Sequence, residues 1–323
     1  MDITNYQEAF IHYLNTQDFN REPRNLYDPI SYILQLGGKR LRPVLTLIAS
    51  DIFSSDYEKA LPAAMAVETF HNFTLIHDDI MDEAPLRRGK ETVHEKWDTN
   101  TGILSGDAML ILAYQYFENY KPEVFQKLAK LFSKTAIEVC DGQQLDVDFE
   151  TRNDVTIAEY IKMITLKTSV LVGAALKMGG IVAEASDEEC ELIYNYGLNL
   201  GIAFQLQDDL LDTFGNPETF GKQIGGDIIE NKKTYLYLKS LEVTSNEDKE
   251  KLKYFYNQKL DDNSIKIIEV TRIFEQNDIP NLTQALIKEY TEKSFNYLEK
   301  LNISESARKG LKNFSENLMF RKV

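Results

Sequence analysis

The chain is poor in the residues that staple small folds or bind transition metals. Cysteine occurs twice in 323 residues, at Cys140 and Cys190. Neither belongs to a CxxC pair, which argues against a disulfide framework and leaves two isolated thiols. Histidine occurs four times. His12, His71, His77 and His94 form no HExxH pair, so zinc chemistry has no support; His71 reads as a hydrogen-bond donor and the other three as structural or surface residues. No uninterrupted apolar run approaches 18 residues, and the opening MDITNYQEAF has neither the basic nor the apolar part of a secretory signal. A cytoplasmic location is the expectation. Strand-like alternation is weak, and no low-complexity tract or linker divides the chain. Positive charge is in the minority, 36 Lys and Arg against 51 Asp and Glu for a net −15, which argues against general nucleic-acid binding and against anionic membranes. An anionic ligand is not excluded, because clustered basic residues hold an anion inside an acidic protein.

Helical periodicity fills the space these absences leave. Asp28-Pro29 reads as an N-cap and first helical position, and Gly37-Gly38 as that helix's stop. Helices are expected from Arg42 to Phe53, from Pro62 to Glu83, from Thr101 to Asn119, onward from Pro122, and from Thr156 to about Met178. Ser186 and Glu189 have capping-box spacing before a helix ending near Asp212. About a dozen helices without a sheet imply one all-α bundle over residues 1–323, packed around a central cavity.

Two of these helices end in carboxylates. In HNFTLIHDDIMDEAPLRRG, Asp78 and Asp82 lie four residues apart, so they project from one helix face about 6 Å apart, with Asp79 beside Asp78. Pro85 is expected to stop the helix there. That is the wrong end for anions: the helix dipole opposes each carboxylate by roughly 0.3–1 kcal/mol. Asp208, Asp209 and Asp212 repeat the spacing before Gly215 and Pro217. Two helices breaking the same electrostatic rule suggest two halves of one metal site. Hard oxygen donors without nearby His or Cys suit magnesium, which completes its shell with water and substrate phosphates. Lys39, Arg40 and Arg42 follow two glycines at a helix start, where extra cations are unfavourable unless an anion binds.

With these motifs stand Gly37-Gly38-Lys39-Arg40-Leu41-Arg42-Pro43, Arg87-Arg88-Gly89, Gly142-Gln143, Lys167-Thr168 and Gly226-Asp227. Together, in this order over residues 37–233, they resemble the trans-prenyltransferases, or isoprenyl diphosphate synthases. The resemblance implies that Lys39, Arg42, His71 and Arg88 hold the diphosphate of isopentenyl diphosphate. Arg87, Lys167, Thr168, Gln205, Lys222 and Lys232 would face the allylic diphosphate, with the glycine-rich segment around Lys222 acting as a lid. Gln143 and Asp146 would be outer partners of a metal-bound water or a lysine. It further implies a homodimer and a 1′-4 condensation. In that reaction three magnesium ions, bridged by Asp78 and Asp82 and by Asp208, help the diphosphate depart, and the isopentenyl double bond attacks the allylic cation.

Phe73 and Thr74, the fifth and fourth residues before Asp78, lie roughly 6–7.5 Å down the helix. The resemblance places them along the product tunnel and points to a C20 product, geranylgeranyl diphosphate. Phe70 could move the floor toward C15, and longer products are a further alternative. A class I terpene cyclase also ionises a diphosphate with magnesium, but it needs no second diphosphate site. A noncatalytic regulatory subunit of a synthase needs no intact metal motifs.

Overall fold

The computed structural model describes residues 3–215, 225–258 and 262–319. They form the expected all-α architecture. In chain order the helices are α1 (Ile3–Asn15), α2 (Arg24–Gln35), α3 (Leu41–Ser54), α4 (Leu61–Met81), α5 (Val93–Lys96), α6 (Thr99–Gln115), α7 (Pro122–Thr151), α8 (Ile157–Ile164), α9 (Val170–Val182) and α10 (Asp187–Phe214). Six more follow: Gly226–Ile229, Tyr235–Val243, Asn246–Tyr256, Ser264–Gln276, Ile279–Leu298 and Glu305–Met319. The run from Ile157 to Val182 is long and apolar enough to cross a membrane by length and composition, yet 72% of that window is buried within the protein. It is a core helix.

The chain groups into two compact units. The first comprises Met1–Lys134, Ala174–Tyr194 and Asn302–Ser304, and the second Thr135–Gly173, Asn195–Leu301 and Glu305–Val323. Chain passes between them inside α7, α9 and α10, and on either side of Asn302–Ser304.

In the first unit α4 is the central helix, packed on α3 and α6 and touching α1 and α2. Its first turns, Ala63 to Val67, are wholly buried, because small side chains there let neighbouring helices approach. Phe70, Phe117 and Phe132 fill the space beyond, with Phe132 edge-on to both of the others at 5.0 and 5.4 Å. Burying rings of this size contributes roughly 1.5–3 kcal/mol each. In the second unit, Tyr196 shares a hydrogen bond of 2.7 Å with Ser315 and also donates to the Leu311 carbonyl at 3.2 Å, tying α10 to the helix Glu305–Met319. Tyr237 stacks on Tyr256 at 3.9 Å.

Three local expectations change. The helix expected from Asp28 begins one turn earlier: Pro23 is the N-cap of α2, and Pro29 lies inside it with its ring buried. α4 is stopped by its own backbone, before Pro85 is reached. Glu83 adopts φ 50°, and the N–H groups of Glu83 and Ala84 reach back to the Ile80 and Asp79 carbonyls in a Schellman turn. A small sheet also forms, in which Leu86–Arg87 pairs antiparallel with Lys90–Glu91. Its two-residue loop, Arg88-Gly89, has positive φ at both positions, matching the twist of a tight hairpin.

Candidate active site

In the first unit the carboxylates and the cations arrive on adjoining segments. Asp78 is half-buried in the last turn of α4, and Asp82, exposed, is its C-cap. Asp79 points inward, 1% exposed, and takes two-pronged hydrogen bonds from Arg87, with Nε 2.8 Å and Nη2 2.6 Å from its oxygens. The hairpin sets this geometry by turning Arg87 back onto α4. Its neighbour Arg88 reaches the Gly37 carbonyl. At Gly38, φ is +115° and a β-carbon would strike the Arg88 guanidinium at 2.6 Å, so glycine is required for that approach.

Arg42 completes the cluster from the first turn of α3, donating from Nη1 to His71 Nε2 at 3.2 Å. Loss of hydration, then the charges of Arg42, Arg88, Arg87 and Arg40, hold the His71 pKa well below the usual imidazole range. His71 is therefore neutral. Because an arginine only donates, Nε2 accepts and the proton sits on Nδ1, which leaves an N–H for a ligand. Burial, then the charge of Arg40, also pulls Arg88 below the ordinary arginine range, the mark of crowded cations. Lys39 stands exposed at the rim. Arg40 serves the fold instead: it is buried, adopts φ 49°, and pairs with buried Glu68 while donating to the Leu34 carbonyl.

The second unit presents its groups on a helical irregularity. A π turn, Thr165–Ser169, joins α8 to α9. It carries Lys167, whose ammonium lies 2.6 Å from Asp146, and Thr168, which donates to Gln205 Oε1 at 3.2 Å. Two glycines grip the turn. A β-carbon on Gly142 would meet the Lys167 backbone nitrogen at 2.2 Å, and one on Gly201 would meet Ser169 Cα at 2.8 Å. A side chain at either position would push the turn away and Lys167 with it. Such π bulges concentrate at functional sites because they redirect side chains without ending the helix.

Gln205 passes the connection on, donating to Asp209 Oδ1 at 2.8 Å, while the buried Tyr160 hydroxyl donates to Oδ2. Burial is the main cause lifting the Asp209 carboxyl to about 6, against the help of those two donors. Asp208 and Asp212 are half-buried on the same stretch of α10, and Asp212 accepts from the Asp227 N–H at 2.9 Å. Burial, then Asp209 and Asp212, pushes Asp227 well above the carboxylate range. Lys232 answers that charge: burial opposes its ammonium, but Asp227 and Glu230 outweigh burial and hold it above the usual lysine range.

The sequence-predicted residues thus fall into two constellations. Lys39, Arg42, His71, Arg87 and Arg88 accompany the first aspartate motif; Asp146, Lys167, Thr168, Gln205 and Lys232 accompany the second. Gln143 is half-buried one turn before Asp146. Lys222 and the glycine-rich segment around it lie outside the described residues. His77 is structural, its Nε2 3.2 Å from the Ile103 carbonyl. Among the described residues no three His, Cys, Asp or Glu side chains are gathered into a metal cage. Glu68 and Tyr160 escaped the sequence reading. Glu68 left a trace, one acid in the apolar run LPAAMAVETF, whereas Tyr160 left none.

An all-α fold with these two constellations is that of a prenyltransferase. The chain belongs to the polyprenyl synthetase family, whose model it matches over residues 23–272. It is 44% identical over 222 residues to a geranylgeranyl diphosphate synthase of Methanosarcina mazei, covering 68% of each chain. A geranylfarnesyl diphosphate synthase of Natronomonas pharaonis is 41% identical over 236 residues, 68% of this chain and 69% of that one. The crystal structure of a geranylgeranyl pyrophosphate synthase matches with 53% identity and a TM-score of 0.95 over the whole of both chains.

Proposed function

We propose that this chain is a magnesium-dependent, cytoplasmic trans-prenyltransferase that acts as one domain, assembles as a homodimer and makes geranylgeranyl diphosphate. The observation that carries the reading is the repeated layout: each unit joins an aspartate-ended helix to its own cationic group, enough for two diphosphates. Arg42, Arg88, Lys39 and the Nδ1–H of neutral His71 hold isopentenyl diphosphate. Lys167, Thr168, Gln205 and Lys232, with Lys222 and Arg87, receive the allylic diphosphate. Asp78, Asp82, Asp208 and Asp212, an all-oxygen donor set at helix ends, suit magnesium, while Asp79 and Asp209 brace their helices from within. Bound magnesium would supply compensation for the charge that collects on the departing diphosphate.

The condensation breaks the allylic C1–O bond with both electrons leaving on diphosphate. The double bond of isopentenyl diphosphate forms the new C–C bond, and a proton is lost to regenerate an alkene. Basic residues aimed at the leaving group lower this barrier, since charge grows there in the transition state. The released diphosphate accepts the proton, so no catalytic Ser, Cys or His is required.

Product length rests on Phe73. Phe70 is 1% exposed and held against Phe132, and Thr74 turns its hydroxyl to the His71 carbonyl at 2.8 Å. Phe73 is half-buried, 5.5 Å from the Phe70 ring and 4.8 Å from His77, which leaves it as the floor. Identity does not separate product lengths, because relatives named for C20 and C25 products are similar to nearly the same degree. Support for the homodimer comes from α6, where Ile103, Leu104 and Ile111 are 41, 59 and 60% exposed, an apolar surface of the kind that seeks a partner. Cysteine scarcity suits the cytoplasm.

The test is an assay of the purified chain with magnesium, isopentenyl diphosphate and each of dimethylallyl, geranyl and farnesyl diphosphates, with sizing of the dephosphorylated products. C20 product is expected. Turnover without isopentenyl diphosphate would indicate a cyclase, and inactivity of the chain alone would indicate a regulatory subunit.

A further inference from the structure

Lys266 is a lysine in an unusual place, 0% exposed on the helix Ser264–Gln276. Its ammonium donates to Asn231 Oδ1 at 2.7 Å and to the Ile229 carbonyl at 3.2 Å. Tyr256 lies 5.7 Å away ring-on, and Lys233 stands on that ring as well, 5.9 Å from its centroid. A buried lysine is expensive unless its donors are satisfied, and here the acceptors belong to one short segment. Ile229 ends the helix Gly226–Ile229, where carbonyls lack helical partners and the dipole favours a cation. Asn231 is the residue that turns the chain out of that helix, with φ 62°.

Asn231 is also a junction. Its side chain accepts from Lys266, its carbonyl accepts from Lys233 Nζ at 3.0 Å, and its amide donates to the Gln258 carbonyl at 3.4 Å. Lys232 follows immediately, its N–H bound to the Asp227 carbonyl at 2.9 Å. The same supporting helix holds the other end of the segment, since Ile267 lies against Gly225. Gly225 to Asn231 is thus clamped at both ends by Ile267 and Lys266, and Lys232 directly follows it, its ammonium 2.9 Å from Glu230 and 3.9 Å from Asp227.

We infer that Lys266 is a positioning residue, which fixes the Ile229–Asn231 turn so that Lys232 is held ready for the allylic diphosphate. This rests on the reading of Lys232 above. A side chain 0% exposed meets no substrate, so Lys266 acts through Asn231 and not by contact. Losing the clamp lets the turn sample other conformers, and the allylic site then loses affinity in proportion to the time Lys232 is misplaced.

The experiment compares Lys232→Met, Lys266→Met and the double variant in the full-length chain with magnesium and both substrates. Lys232→Met and Lys266→Met should each raise KM for the allylic diphosphate about tenfold, with KM for isopentenyl diphosphate within about twofold of wild type. In the double variant the second substitution should add less than about twofold, because both remove the same interaction. Asn231→Ala, which deletes the acceptor at a half-buried position, should give the same split, and it substitutes for Lys266→Met if that variant lacks native helicity. Equal effects on both substrates, no effect of either clamp variant, or additive effects in the double variant would overturn the assignment. A wild-type allylic KM in Lys232→Met would remove the Lys232 reading itself, and the inference with it.

Discussion

The two units bury charge by different rules. In the first, deeply buried ionisable groups meet opposite charges: Arg40 with Glu68, and Arg87 with Asp79. In the second, the buried Asp209 and Lys266 meet neutral dipoles. Asp209 is held by a tyrosine and a glutamine, and Lys266 by a carbonyl and an asparagine. A buried pair keeps both partners charged and costs dearly when one is deleted, whereas a charge among dipoles stays sensitive to its own protonation. The same aspartate spacing therefore sits on two different foundations. Internal pairing in the first unit also divides its cations: Arg40 serves the fold, Arg87 braces Asp79 beside the allylic diphosphate, and Arg42, Arg88 and Lys39 serve isopentenyl diphosphate.

Catalysis should ignore this difference. Asp78→Ala and Asp208→Ala are each expected to lower kcat about a thousandfold or more with unchanged far-UV circular dichroism, since each removes a metal ligand and no packing. Near-wild-type turnover in either would break the equivalence of the two motifs.

Stability should expose it. Glu68→Ala leaves Arg40 buried without its partner and is expected to cost about 3–5 kcal/mol. Asp209→Asn keeps an acceptor for Tyr160 and should cost only about 1 kcal/mol. Urea unfolding of the two variants reads the contrast, and an equal or reversed order would contradict it.

The neutral foundation predicts a pH dependence in the second unit. Burial first, then the charge of Lys233, lowers Lys266 from its ordinary 10.5 to about 8. Between those values the unfolded chain binds a proton that the folded chain has released, so stability rises with pH. Relative to Lys266→Met, the wild type should gain up to about 3 kcal/mol as pH climbs from about 8 to 10.5, with the penalty fully present below that window. A difference that stays flat across this window would show that the lysine keeps its ordinary pKa.

The smallest effect concerns the first unit alone. Phe73→Ala should cost about 2 kcal/mol or less at its half-buried position, and shift the product upward by at least one isoprene unit. Chromatography of the dephosphorylated products checks it, and an unchanged distribution would remove Phe73 as the floor.

Much of the fold was legible because its signals are local. Ser186 and Glu189 form the expected capping box, with the Ser186 N–H donating to Glu189 and the Glu189 N–H to Ser186. Pro62 opens α4 as its position suggested. Both aspartate runs stand at helix ends as their spacing suggested, although α4 ends in a Schellman turn at Glu83 and not at Pro85. What escaped depends on distant neighbours. The π turn leaves no periodic mark, and it exists because Gly142 and Gly201, 59 positions apart, both approach it. The Arg88-Gly89 hairpin was hidden because its strands are two residues long and carry no apolar alternation. Lys266 was illegible for a like reason: in SIKIIEV it looks like one charge on an amphipathic helix, and only its Asn231 and Ile229 contacts give it a role.

The division of labour between the units is tested most directly by steady-state kinetics of Arg42→Ala and Lys167→Ala with both substrates varied. A charge-assisted contact to a diphosphate is worth roughly a tenfold to hundredfold change in KM. Arg42→Ala should raise KM for isopentenyl diphosphate by that factor and leave the allylic KM within about twofold, and Lys167→Ala should do the reverse. Parallel changes in both constants for both variants would contradict the assignment of one diphosphate to each unit.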